Sequence, residues 1–231
     1  MEDKGFRPIA FVPMRGGSKG IPGKNIMPIG DKAHLFEYAI DAALGADLEV
    51  FVSTNSEEIK NAVLGTYESK VRVGNRPGRI SGQKAQIEEA IKYHIEWGNM
   101  DGYTHVVMLQ VTNVFVRHWD VRGCLNLFRS GYDSVVSAVN VKNFRWCNDG
   151  LAVPMYHGQE RPSRHEHGGT WLENGGIYGF SVDGFRANGC VSRVFGTRGL
   201  LQMPAISIHE LDEPEDIPII EALLKIQKGD R

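Results

Sequence analysis

The stretch Ile9-Ala10-Phe11-Val12-Pro13-Met14-Arg15-Gly16-Gly17-Ser18-Lys19-Gly20-Ile21-Pro22-Gly23-Lys24-Asn25 decides how the chain is read. Its first four residues form an apolar run of strand length closed by a proline, and a loop of glycines and cations follows at once. Glycines let backbone N–H groups approach an anion, while Arg15, Lys19 and Lys24 add charge suited to a polyphosphate. The loop is not a Walker A sequence, because Ser18 stands where the first glycine belongs and Asn25 where Ser or Thr would meet magnesium. Ser18 also breaks the Rossmann pattern G-x-G-x-x-G. A buried strand feeding this loop is read as a phosphate site of a different kind.

Outward from it, strands and helices alternate. Leu35, Phe36, Ala39, Ile40 and Ala43 have helical spacing within 33–44, and Val50-Phe51-Val52 begins a second strand leading to Ser53-Thr54-Asn55. A helix is predicted over 56–64 with Ser56 as N-cap, then a short strand at 70–73 and a basic loop at 74–84. Ile87, Ala90, Ile91, His94 and Ile95 make the next helical face, followed by a strand at 105–110. Val121, Cys124, Leu125 and Phe128 repeat the helical stripe before a strand at 134–140. Between 141 and 173 the rhythm fails in a segment rich in Asn, His, Gly, Pro and Arg, which reads as an inserted lobe. Strands are expected again at 174–180 and 205–208. A final helix carrying Ile219, Ile220, Leu223 and Leu224 is expected to keep Pro218 in its opening turn. This pattern predicts one α/β domain, 1–231, built as a three-layer αβα sandwich around a mainly parallel sheet, with ligands beyond the strand carboxyl ends.

Composition sets the limits. The 231 residues are 42% hydrophobic and 23% charged, as expected of a globular chain. Lys and Arg total 26 against 28 Asp and Glu, a net charge of −2, so no global basic field calls for nucleic acid or an anionic membrane. Three cysteines without a CxxC pair argue against a disulfide framework or structural zinc. With no apolar run near ~18 residues and no apolar signal core at the start, a soluble cytoplasmic protein is expected. Glu210 and Asp212 lie two apart, so in an extended segment both project to one face and can share a hard cation. His165-Glu166-His167, with His157, lacks a defined third ligand and is not read as a metal site. Trp97, Trp119, Trp146 and Trp171 are read as packing residues.

Arg15-x-Gly17-Ser18-Lys19-x-x-x-x-Lys24-Asn25 directly after the first strand resembles the signature of the acylneuraminate cytidylyltransferases, the CMP-sialic acid synthetase family. Further similarities follow in order: Ser53-Thr54-Asn55-Ser56-Glu57-Glu58-Ile59, Arg76-Pro77, Leu109-Gln110-Val111-Thr112, Asp133-Ser134-Val135-Val136-Ser137, Glu173-Asn174-Gly175-Gly176-Ile177-Tyr178 and Glu210-Leu211-Asp212-Glu213-Pro214-Glu215-Asp216. The resemblance implies a Rossmann-like nucleotidyltransferase sheet and a magnesium-dependent transfer of CMP from CTP to the anomeric hydroxyl of an acidic sugar, releasing pyrophosphate. By the same resemblance Arg15, Lys19 and Lys24 would hold the triphosphate, with Ser18 and Asn25 assisting at phosphate and ribose. Main-chain groups near Pro13 and Met14, with Arg76, would recognise the nucleotide. Gln110 and Asn174 would face the sugar, and Glu210 and Asp212 would carry Mg2+. The lobe at 141–173 would serve a homodimer and offer Arg145, Arg161 and Arg164 to the sugar carboxylate.

This chain departs from the family pattern in places. Val111, Asn113 and Val114 replace the proline, serine and proline of the turn after Gln110, and Val116 stands where an arginine usually follows. Glu210 replaces the first aspartate of the metal pair, and Gln83 and Ile87 replace an acid and a hydroxyl. These changes are read as lying near sugar and phosphate rather than in the core. They leave open 3-deoxy-manno-octulosonate or another sugar as acceptor, and a weakened CTP-binding homologue.

Overall fold

A computed structural model of the chain describes residues 5–18, 20–82, 84–148, 152–154 and 160–229. Its frame is a seven-stranded sheet. The strands are β1 (Pro8–Met14), β2 (Glu49–Thr54), β3 (Val71–Asn75), β4 (His105–Leu109), β5 (Ser134–Val141), β8 (Thr170–Ser181) and β9 (Arg198–Gln202), while β6 (Trp146–Asn148) and β7 (Ala152–Pro154) pair separately. The order across the main sheet is β3-β2-β1-β4-β8-β5-β9. All its pairings are parallel except those of β8, which runs antiparallel between β4 and β5.

Alternation along the strands sends side chains to two apolar layers. Ala10, Val12 and Met14 pack on one face with residues of α1 (Phe36–Leu44), α2 (Glu57–Tyr67), α4 (His118–Arg129) and α6 (Asp216–Gly229). Ile9 and Phe11 pack on the other with α3 (Ile87–Glu96) and α5 (Val182–Ala187). The sheet is thus covered on both sides, as near-continuous apolar strands require. Ser56 caps α2 through a hydrogen bond from Ile59 N at 3.4 Å. Pro218 is the third residue of α6, where its missing N–H breaks no helical bond.

Several expectations are corrected. Residues 205–208 form a 3-10 turn rather than a strand: Ser207 is buried, and both its N–H and hydroxyl return to Pro204 O, at 2.9 and 2.7 Å. The edge strand is instead β9, whose exposed and buried residues alternate around a glycine. β8 begins at Thr170, four residues before the predicted start, because its opening residues pair with the end of β5 and alternate between half-buried and exposed. The two strands therefore run on into the 141–173 segment, where β6 and β7 also lie. The four tryptophans are not core residues, since 43% to 68% of each is exposed. Val114 and Val116 are buried in the larger apolar layer, so these departures from the family pattern belong to the core after all.

Opposite Ser137, β8 bulges. Val136 pairs with Tyr178 and Ala138 with Glu173, leaving Asn174–Ile177 out of register. Ser137 Oγ repairs the gap, donating to Asn174 Oδ1 at 2.6 Å and accepting from Ile177 N at 2.7 Å. Farther along β8, Gly179 carries α4 directly on its backbone, and a Cβ there would lie 2.6 Å from both Cys124 Sγ and Phe128 Cζ. Gly179→Ala is expected to lower unfolding stability by about 1–3 kcal/mol through overpacking, seen as a lower urea midpoint at unchanged slope.

Candidate functional site

At the carboxyl ends of the strands lies a cavity of about 390 Å³. Pro13 comes to it from the end of β1, Arg15, Ser18 and Asn25 from the loop that follows, Arg76 from the loop after β3, and Gln110 and Thr112 from the turn after β4. The loop after α5 adds Arg193. Among its described lining residues are three arginines and no carboxylate. Met14 is fully buried and is not among the residues lining the cavity.

Hydrogen bonds fix the loop. Asn25 Nδ2 donates to Arg15 O at 2.9 Å and Gly16 N donates to Asn55 Oδ1 at 2.9 Å, closing the loop on itself and on the exit of β2. Lys24, almost fully buried, donates through Nζ to Leu211 O at 2.8 Å and to Asp212 Oδ1 at 3.0 Å. On the same side, a Cβ at Gly20 would collide with Asp212 O, so glycine is what lets the two segments touch. The loop and the acidic segment therefore touch, although Lys24, Glu210 and Asp212 are not themselves among the residues lining the cavity.

Leu211 is buried and its flanking carboxylates turn the other way, in the alternation expected of an extended segment. Thr112 Oγ1 donates to Glu210 Oε2 at 3.2 Å. Burial, and secondarily the neighbouring Asp212 charge, push the Glu210 carboxyl up to about 7, against the opposing pull of Thr112 and Lys24. Lys24 answers the Asp212 charge, but Glu210 has no cation hydrogen-bonded to it among the described residues, and a divalent cation shared by the two carboxylates would offset their mutual repulsion. The donor set suits magnesium, which is commonly held by one or two carboxylates with phosphate and water completing its shell. Among the described residues, no group of three or more His, Cys, Asp or Glu side chains is placed to hold a metal.

Arg76 is 5% exposed, and its Nε and one terminal nitrogen have no partner among the described residues. Burial, then the nearby Arg15 charge, lower its guanidinium to about 10. An unpaired buried cation is costly, and an anion in the cavity would relieve it. Behind it, His94 lies among Phe11, Phe51 and Tyr93 with Nε2 2.7 Å from Ser53 Oγ. Burial first, and Arg76 second, depress His94 from 6.5 to about 4.

Other expected residues lie elsewhere. Lys19, His157 and Gln83 fall outside the described residues. Asn174 is buried with its side chain engaged inside the protein: Oδ1 accepts from Ser137 Oγ and Gly176 N, and Nδ2 donates to Ser207 Oγ and Met203 Sδ. It shapes the bulge rather than reaching the cavity. Arg145, Arg161 and Arg164 do not line the cavity in their own chain, and Arg161 sits over the Phe144 ring at 4.4 Å. Asn113 has a structural role, donating to Asn174 O at 2.6 Å and Ser207 O at 2.8 Å. Sequence reading missed Thr112 as the partner of Glu210. It also missed Arg193 with Glu88, whose 105-residue separation leaves no spacing signal.

The fold and cavity define an α/β protein that offers cations at its strand ends. Residues 9–145 match the family model described as cytidylyltransferase, and the chain belongs to that family. It is 28% identical over 183 residues to the N-acylneuraminate cytidylyltransferase of Streptococcus agalactiae, covering 75% of this chain and 43% of that protein. Over 179 residues it is 31% identical to N-acylneuraminate cytidylyltransferase A of Danio rerio, covering 73% and 40% respectively. The chain thus spans less than half the length of these curated relatives. A CMP:2-keto-3-deoxy-manno-octonic acid synthetase complexed with CTP shares the fold, with a TM-score of 0.68 at 14% identity over 96% of this chain and 99% of that one.

The depressed His94 gives a pH test. The unfolded chain binds a proton that the folded state refuses between pH 6.5 and about 4. Stability from this residue is therefore complete above the upper value and is lost as pH falls through the window. A decline on the order of 2–4 kcal/mol is expected in denaturant titrations across that range, and His94→Gln should flatten it.

Proposed function

We propose that the protein transfers CMP from CTP to the anomeric hydroxyl of an acidic, sialic-acid-like sugar and releases pyrophosphate. The observation that carries this is the strand-end cavity whose described lining holds three arginines and no carboxylate, one of them the buried and unsatisfied Arg76 guanidinium. Nucleotidyl transfer needs alignment and charge neutralisation more than a protein nucleophile, and the cavity supplies both.

In this reading Arg15, Lys19 and Lys24 grip the triphosphate, with Ser18 and Asn25 at phosphate and ribose. Arg76 and the main chain of Pro13 and Met14 take the nucleotide, and Gln110 faces the acceptor. The anomeric oxygen attacks the α-phosphorus, and the new P–O bond forms as the bond to the β-phosphate bridging oxygen breaks. That bond's electron pair leaves with pyrophosphate, and the hydroxyl proton passes to solvent. Glu210 and Asp212 would hold magnesium, which would supply charge neutralisation at the phosphates. Lys24, already paired with Asp212, would link the acid pair to the triphosphate.

A homodimer in the cytoplasm completes the proposal. The 141–173 lobe, with Trp146 and Trp171 exposed, would offer Arg145, Arg161 and Arg164 to the partner's sugar. No helix among the described residues is long and apolar enough to cross a membrane. The altered turn after Gln110 does not favour a weakened binder, because Asn113 and the buried valines anchor it firmly.

Pyrophosphate release from CTP, magnesium and a panel of acidic sugars tests the reading; no release with any of them refutes it. Lys24→Ala should lower turnover by about 10²–10³-fold if its ammonium stabilises charge in the transition state. Asp212→Asn should raise the magnesium concentration needed for half-maximal rate, and an unchanged requirement would place the cation elsewhere.

A further inference from the structure

Arg193 lies in no recognised motif, yet its side chain lines the cavity. Arg15 and Arg76 enter from the loops after β1 and β3, whereas Arg193 follows α5, the helix that continues from β8. In the order β3-β2-β1-β4-β8 this places it across β1 and β4 from Arg76, on the side of Tyr178 and Met108.

Its surroundings hold it in place. One terminal nitrogen donates to Glu88 Oε1 at 2.6 Å in an ion pair whose side chains are only 22% and 13% exposed. The guanidinium lies 4.2 Å from the centre of the Tyr178 ring, and Tyr178 in turn donates its hydroxyl to Glu173 Oε2 at 3.1 Å. A guanidinium gripped at one corner and stacked on a ring is pre-organised, so little is lost when it binds a planar anion. Its Nε–H, buried, has no partner among the described residues. Glu88 is not among the residues lining the cavity, so Arg193 is the charged member of the pair that meets a ligand.

We infer that Arg193 grips the carboxylate of the sugar acceptor and so selects acidic over neutral sugars, an assignment that rests on the transfer reading above. A triphosphate engages the cations of the loops after β1 and β3. Arg193 on the β8 side keeps N–H groups beyond the one held by Glu88, and a carboxylate matches that part of its fork. A neutral acceptor would leave that donor unsatisfied, which is the kind of loss that discriminates strongly between substrates.

Steady-state kinetics with N-acetylneuraminic acid, 2-keto-3-deoxy-manno-octonic acid and the carboxamide of each tests this. Arg193→Gln should raise KM for the acid about 10–100-fold, leave KM for CTP within about twofold, and erase the preference for acid over amide. Arg193→Lys should keep part of that preference, and it replaces the Gln variant should that one fail to fold. An unchanged sugar KM, or an acid preference that survives the substitution, overturns the assignment. If the wild-type protein releases pyrophosphate while the variant behaves identically, only Arg193 is wrongly assigned. If the wild type releases none with any acidic sugar, the transfer reading falls and this inference with it.

Discussion

The site depends on one buried ammonium. Lys24 Nζ joins the loop after β1 to a segment nearly two hundred residues later, through Leu211 O and the Asp212 carboxylate. A buried lysine is tolerated only when its charge is answered, so wherever this cation sits the acidic segment must come to it. The rest is built around that meeting. Asn25 and Asn55 hold the loop, the bare backbone of Gly20 lets Asp212 approach, and Asp216 at the start of α6 accepts from Asp212 N and Glu213 N to steady the segment from behind.

Much of this was legible in the sequence wherever a residue acts through local periodicity or through a charge on a short loop. The strands through Phe11, Val52, Val107 and Val136 and the helices between them follow from spacing alone, and Arg15, Ser18, Asn25, Arg76 and Gln110 do converge on one cavity. What was not legible depends on tertiary contact. Ala205–Ile208 looks like a strand by composition, but Ser207 bonds back to Pro204 and turns the chain. Asn174 looks like a ligand residue because it is polar beside two glycines, yet the bulge consumes every polar atom it has. Arg193 and Glu88 find each other only after folding.

The antiparallel strand β8 links these elements. Gly176 O accepts from Gln110 N, so the turn after β4 that lines the cavity hangs from the bulge. The same strand begins beyond the sheet, paired with the end of β5 where the 141–173 segment departs. One strand therefore passes from that segment to the cavity and on to α5, whose following loop carries Arg193.

Gly175 sits within that bulge at φ 63°, and a Cβ there would collide with the Glu210 carboxylate. The longer acid occupies the volume that a side chain at 175 would otherwise fill. Two independent constraints therefore hold glycine at 175, the left-handed backbone and the neighbouring carboxylate, so any side chain there would have to displace the acid as well as strain the turn.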